Sequence, residues 1–132
     1  MNTNLNYQLG LLHFVHLLIY ADGHMDSREL DAMIAIKNEE AINDDVFTDF
    51  EQRSIFLKEK EIYDQGVIFL NRCNEEEKLC VMVHLYRLAM ADETLHVKEV
   101  RLLMYALKLT HHEFDDVVLG ANLVEARVRG QA

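Results

Sequence analysis

The chain has 132 residues, half of them apolar and 27% charged, a length that buries one core and a balance that excludes a disordered polymer. A formal charge of −10 with no block of Lys or Arg makes nucleic acid and anionic lipid poor partners, and leaves cations and basic protein surfaces as suitable ones. Proline is absent, where average usage would give about six or seven, and glycine numbers five; this excludes a turn-rich β-sandwich and points to an all-α bundle in one domain over 1–132.

The first helix is expected over about residues 4–21, where Leu5, Leu9, Leu12, Val15, Leu18 and Ile19 form an apolar stripe of helical period. Its run LGLLHFVHLLIYA is too short for a bilayer, which takes about 20 apolar residues, and two histidines interrupt it. The first basic side chain is Arg28, so the positive region of a signal peptide is missing. Cys73 and Cys80 form no CxxC and no metal-ligand pattern, and both read as small core residues in a reducing compartment. These features predict a cytoplasmic protein that inserts in no membrane.

Gly23 suits the end of helix 1, and Asp26 with Glu29 three on forms a capping box for a second helix that buries Leu30, Met33 and Ile34. In the middle, NEEAINDDVFTDFEQRSIFLKEKE, Thr48 and Glu51 open a short helix of unfixed limits, anchored by Phe47 and Phe50. A further helix is expected from about Lys60 to Cys73, presenting Ile62, Val67, Phe69 and Leu70. Asn74 followed by three glutamates caps another, with Leu79, Val83, Tyr86 and Met90. Val100, Leu103, Met104 and Leu107 mark the next. A capping box from Thr110 to Glu113 opens the last, with Phe114, Val117 and Val118, giving six or seven helices.

The segment YADGHMDSREL (20–30) is echoed by MADETLHVKEV (90–100). Aligning 13–37 with 83–107 gives identities at Leu18/Leu88, Ala21/Ala91, Asp22/Asp92 and Glu29/Glu99, with Met25/Leu95 and Leu30/Val100 in phase. A duplicated helical hairpin, packed around a pseudo-twofold axis, accounts for that placement. Each Asp falls near a helix C-terminus, where the dipole disfavours negative charge by roughly 0.3–1 kcal/mol. Two readings explain it. Asp22, Asp26, Glu29, Asp92 and Glu99 form a carboxylate cluster for a hard cation such as Ca²⁺ or Mg²⁺, which takes oxygen ligands. Alternatively the aspartates reach the free N–H groups of the next helix, the glutamates are capping acids, and Met25 and Leu95 plug the turns. The two are not exclusive.

Sharper metal sites fail by counting. With Asp22 as the first position of an EF-hand loop, the sixth is Ser27 instead of Gly and the twelfth Met33 instead of Glu. Glu93-x-x-His96 is a single pair where a di-iron bundle needs two. His13 and His16 are spaced to chelate, with His24 close by, but within a helix they read first as packing residues. His111 and His112 are expected in the first turn of the last helix. No nucleophile–base pattern and no glycine-rich phosphate loop is present, so a non-enzymatic role is expected, ahead of a metal-dependent hydrolase.

At the two Ala-Asp turns, YADGHMDSRELDAM and AMADETLHVKEVRLLMYALKL, the chain resembles the tellurite-resistance TerB family over about residues 9–37 and 76–119. The shared pattern is an apolar helix, Ala-Asp-Gly, an apolar residue, a capping residue, and Glu opening the next helix. The second segment departs from it, with Glu93 for Gly and His96 for a short polar cap. The resemblance implies an internally pseudo-symmetric all-α bundle, also found as a cytosolic part of a DnaJ-type co-chaperone. It further implies a stress or tellurite-resistance context and action through acidic, metal-binding surfaces and protein contacts. Carried over by position, its site residues are Asp22, Asp26, Glu29, Asp92 and Glu99. The expected function is an acidic, divalent-cation-binding domain with a protein partner, or else an adaptor module without metal.

Overall fold

The structure, a computed structural model, describes residues 4–19, 27–90, 97–110 and 112–130; the side chains of 28–30, 97–100 and 128–130 lie outside the description. Among the described residues every regular element is a helix: α1 (Leu5–Ile19), α2 (Ser27–Glu39), α3 (Asp44–Ser54), α4 (Glu59–Asn71), α5 (Glu75–Ala89), α6 (Val97–Leu107) and α7 (Phe114–Gly130). None is long and apolar enough to cross a membrane.

Helix α1 is the centre of the bundle. Its expected one-sided stripe is replaced by burial over most of its circumference: Tyr7, Leu11, Phe14, Val15, Leu18 and Ile19 are each at most 1% exposed, Leu12 and Leu17 are also buried, and Asn6, Leu9 and His16 are partly buried. Leu5, at its start, is instead 53% exposed. A helix buried over most of its circumference is one that other helices surround. It packs chiefly along α4, then α5, with α3 and α6 at further sides. The contact with α4 is close because Gly66 is a glycine: a Cβ there would meet His13 Cβ at 3.1 Å and the Phe14 ring at 3.2 Å. Helix α7 lies along α5 with Gly120 over Val83, where a Cβ would stand 2.7 Å from Cγ2.

The caps explain most boundaries. Asn74 Oδ1 accepts from the Glu77 N–H (2.8 Å), and Glu77 accepts from the Asn74 N–H (2.9 Å) while its other oxygen takes Asn4 Nδ2 (2.9 Å), tying the start of α5 to that of α1. Helix α3 begins earlier than Thr48, because Asn43 caps it through the Asp45 N–H (2.7 Å) and Asp44 and Asp45 follow in its first turn. At α4, Glu61 accepts from the Lys58 N–H (3.2 Å); an ammonium has no lone pair with which to complete the box. The expected Thr110–Glu113 box is absent. The Thr110 hydroxyl instead donates to Leu107 O at the end of α6, and Asp116 accepts from the Glu113 N–H (2.9 Å) at the start of α7.

Several expected core positions are also revised. Ile34, Met90, Met104 and Phe114 are more than two-fifths exposed, and Ile36, Leu88, Ala106 and Ala121 are buried in the same helices. Cys73 is buried as expected, with its thiol pushed up to about 11 by desolvation and then by Glu77. Cys80 is exposed, against expectation; partial desolvation of its thiol, then Glu40, Glu76 and Glu77, raise its pKa.

Candidate binding groove

Of the five acids proposed as a cation site, Asp22, Asp26 and Asp92 lie outside the described residues. Glu29 and Glu99 are the third residues of α2 and α6, with side chains outside the description. Among the described residues no group of three or more His, Cys, Asp or Glu is placed to hold a metal ion.

The histidines of α1 are packing residues. His13 is wholly buried between Phe50 (ring centroids 4.7 Å) and Phe69 (5.3 Å), and the His16 ring stands edge-on to Phe50 at 5.8 Å. His13 Nδ1 is 2.6 Å from Leu9 O and must donate to it. The neutral ring then accepts at Nε2, so Gln65, 3.3 Å away, has to present its amide nitrogen there. Desolvation lowers the pKa of both imidazoles, outweighing the two hydrogen bonds at His13 and reinforced at His16 by the charge of His13. His112 precedes α7 instead of lying in its first turn, and its Nε2 donates to Glu75 O (2.8 Å) at the start of α5.

A polar cluster joins four helices at the end of α2. Arg87 on α5 grips Glu39 with two bonds (2.8 and 3.1 Å) and takes Glu125 of α7 at 2.9 Å. The neighbouring His84, 5% exposed, donates from Nε2 to Glu40 (3.0 Å) and stands 3.4 Å from an Arg87 nitrogen at Nδ1. Burial opposes ionisation of Glu40, but His84 and the nearby Tyr7 hydroxyl outweigh it and hold its carboxyl below the ordinary range. Tyr7 Oη on α1 is fully buried, and burial first, then Glu40, keeps the phenol protonated. The depression beside the cluster, 460 Å³, is bordered by Arg87 and Glu125. Their hydrogen-bonding groups already serve each other, so the cluster is a clamp between helices.

Among the described residues an open groove of 520 Å³ lies between α1, α4 and α6. Leu17, Tyr63, Leu102 and Tyr105 give it an apolar, aromatic lining, and Lys60, Arg101 and Glu59 are its charged members. A separate depression of 120 Å³ shares Leu17 and Glu59 with it and is otherwise lined by His16, Leu57 and Ile62. Next to Leu57, in the link between α3 and α4, Ile55 and Phe56 are 75% and 83% exposed. The Lys108 ammonium lies 5.5 Å from the Tyr105 ring centroid. Among the described residues Lys58, Lys60, Arg101 and Lys108 make no ion pair, whereas Lys37, Arg53, Lys78 and Arg87 do. Arg72, which lies over the Phe69 ring, and Arg127 on α7 likewise make no ion pair among the described residues; of these cations Lys60 and Arg101 line the groove.

The groove had little signature in sequence, since its walls come from positions 17, 60–63 and 101–105. One local signal was available: Ile55, Phe56 and Leu57 form an apolar run between Arg53 and Lys58, outside any helix repeat. Compared with protein-family models, curated proteins and solved structures, the chain matches none.

Proposed function

We propose that the chain is a non-enzymatic, TerB-like helical module of the cytoplasm that works by binding a protein partner in the groove between α1, α4 and α6. The observation that carries this reading is the open apolar groove itself, whose Tyr105 is 54% exposed. Contiguous exposed apolar surface on a soluble domain marks contact sites more often than it marks indifferent surface. A photo-crosslinking residue at Tyr105 tests it in cells, with the same residue at exposed Glu76 on α5 as the control. Discrete protein adducts at 105 and none at 76 are expected. Equal labelling at both positions, or none at 105, overturns the reading.

A second reading, the divalent-cation site at Asp22, Asp26, Glu29, Asp92 and Glu99, draws support from element boundaries. Helices α1 and α5 are both 15 residues long and begin 70 apart (5 and 75), and α2 and α6 also begin 70 apart (27 and 97). Glu29 and Glu99 therefore hold the same position in their helices. A duplicated hairpin and paired acidic turns are what the TerB-like kinship asks for, with Ca²⁺ or Mg²⁺ as the ion. The packing is not equal, however: α6 lies against α5, whereas α2 makes its principal contact with α5 instead of α1.

A further inference from the structure

We infer that the partner segment this groove takes is an acidic amphipathic helix, its apolar face on Tyr63, Leu102 and Tyr105 and its carboxylates on Lys60, Arg101 and Lys108. This inference rests on the groove being a binding site. Shape and charge together choose the occupant. The groove is open, and a second depression shares its Leu17 and Glu59 and lies against Leu57, so an elongated occupant suits this face better than a compact ligand. A helix supplies such a rod, with apolar residues three and four apart on one face and its charges on the flanks. The cations decide the sign of those flanks. Lys60 and Arg101 are exposed members of the lining, Lys108 sits over the Tyr105 ring, and Lys58 adjoins Leu57; none has an ion pair among the described residues. Among the described residues the main lining holds one acid, Glu59, against Lys60 and Arg101, a small positive excess on a molecule of charge −10. Facing charges of opposite sign select the partner and its orientation, and like charges reject the wrong one.

The test uses two labelled amphipathic peptides with one leucine face, one bearing Glu and the other Lys on its polar face, titrated into the intact protein by fluorescence anisotropy. The acidic peptide should bind about tenfold more tightly, the sum expected of several partly exposed ion pairs, and the difference should shrink as salt is added. Lys60→Glu with Arg101→Glu, both at exposed positions, should reverse the preference; Lys60→Gln and Arg101→Gln, each causing part of the loss, serve if the double reversal does not fold. Tyr105→Ala should weaken both peptides alike. Equal affinity for the two peptides, indifference to the charge reversals, or binding of neither overturns the acidic helix. Equal binding that Tyr105→Ala still weakens overturns it while leaving the groove a binding site. Concentration-dependent dimerisation that the double reversal abolishes assigns the groove to a second copy of this chain, and likewise overturns the inference.

Discussion

Ala41 shows how much one backbone angle decides. It follows α2 with φ of 50°, and the turn around it has the Schellman pattern: the Ile42 N–H reaches Lys37 O (3.0 Å) and the Ala41 N–H reaches Asn38 O (3.2 Å). That conformation suits glycine, since an L side chain in it costs about 1–2 kcal/mol. Ala41→Gly should therefore stabilise the fold by roughly 0.5–1 kcal/mol after the added freedom of the unfolded chain is deducted. Chemical denaturation reads it directly, and a lower midpoint would show that the turn is not strained. His13 and His16 give a second expectation. Their folded pKa values lie below the ordinary 6.5, so the unfolded chain takes up protons first as pH falls. The stability they contribute is full above about pH 6.5 and declines below it, toward their folded values. Unfolding free energies measured from pH 7.5 down to 5 should fall, and His16→Asn should flatten part of that slope. A pH-independent stability over this window would mean that the rings are not buried neutral.

Between helices, the tightest restriction is Gly120 on Val83. A Cβ at 2.7 Å from the stiff Cγ2 must push it aside, an overpacking cost of about 1–3 kcal/mol that exceeds the ~1 kcal/mol of helix propensity gained. Gly120→Ala should lower stability by about 1 kcal/mol, and in a Val83→Ala background the same change should become neutral or favourable. A penalty that persists there would place the strain elsewhere. At this scale the sequence was most legible where one residue type had one job. Asn74 with Glu75, Glu76 and Glu77 located α5, and the same reasoning on Asn43 with Asp44 and Asp45 would have located α3, which Thr48 obscured. Apolar spacing located helices without giving their buried faces, because Ile34 and Ile36 are equally apolar and only the packing of α2 on α5 chooses Ile36. The clamp of Arg87, His84, Glu39, Glu40 and Glu125 joins positions 38 to 48 residues apart, a distance over which no local pattern carries information.

For the whole molecule, the proposed cation site makes a thermodynamic claim. An ion bound only by the folded state stabilises it by RT ln(1 + [L]/Kd), about 1.4 kcal/mol at tenfold excess over Kd, which is roughly 5 °C in Tm for a domain of this size. Millimolar Ca²⁺ or Mg²⁺ should raise Tm above a monovalent control at matched ionic strength, since screening alone also helps a chain of charge −10. Asp22→Asn should abolish that excess. An excess that survives the substitution, or never rises above the control, removes the cation and leaves the aspartates as helix caps.

The extensive burial of α1 bears finally on how the protein is made. Helix α1 is synthesised before α4 and α5, the helices that cover most of it, and α5 ends 70 residues after α1 does (19 and 89). At about 5–20 residues per second, translation takes roughly 4–14 s to supply that cover. Until then the nascent chain carries a largely apolar helix whose polar side chains are Asn6, Gln8, His13 and His16 alone. Its birth therefore depends on the ribosome surface or a holding chaperone more than that of a bundle whose first helix has a solvent side, and slowed elongation between residues 20 and 90 should lower the yield of native protein.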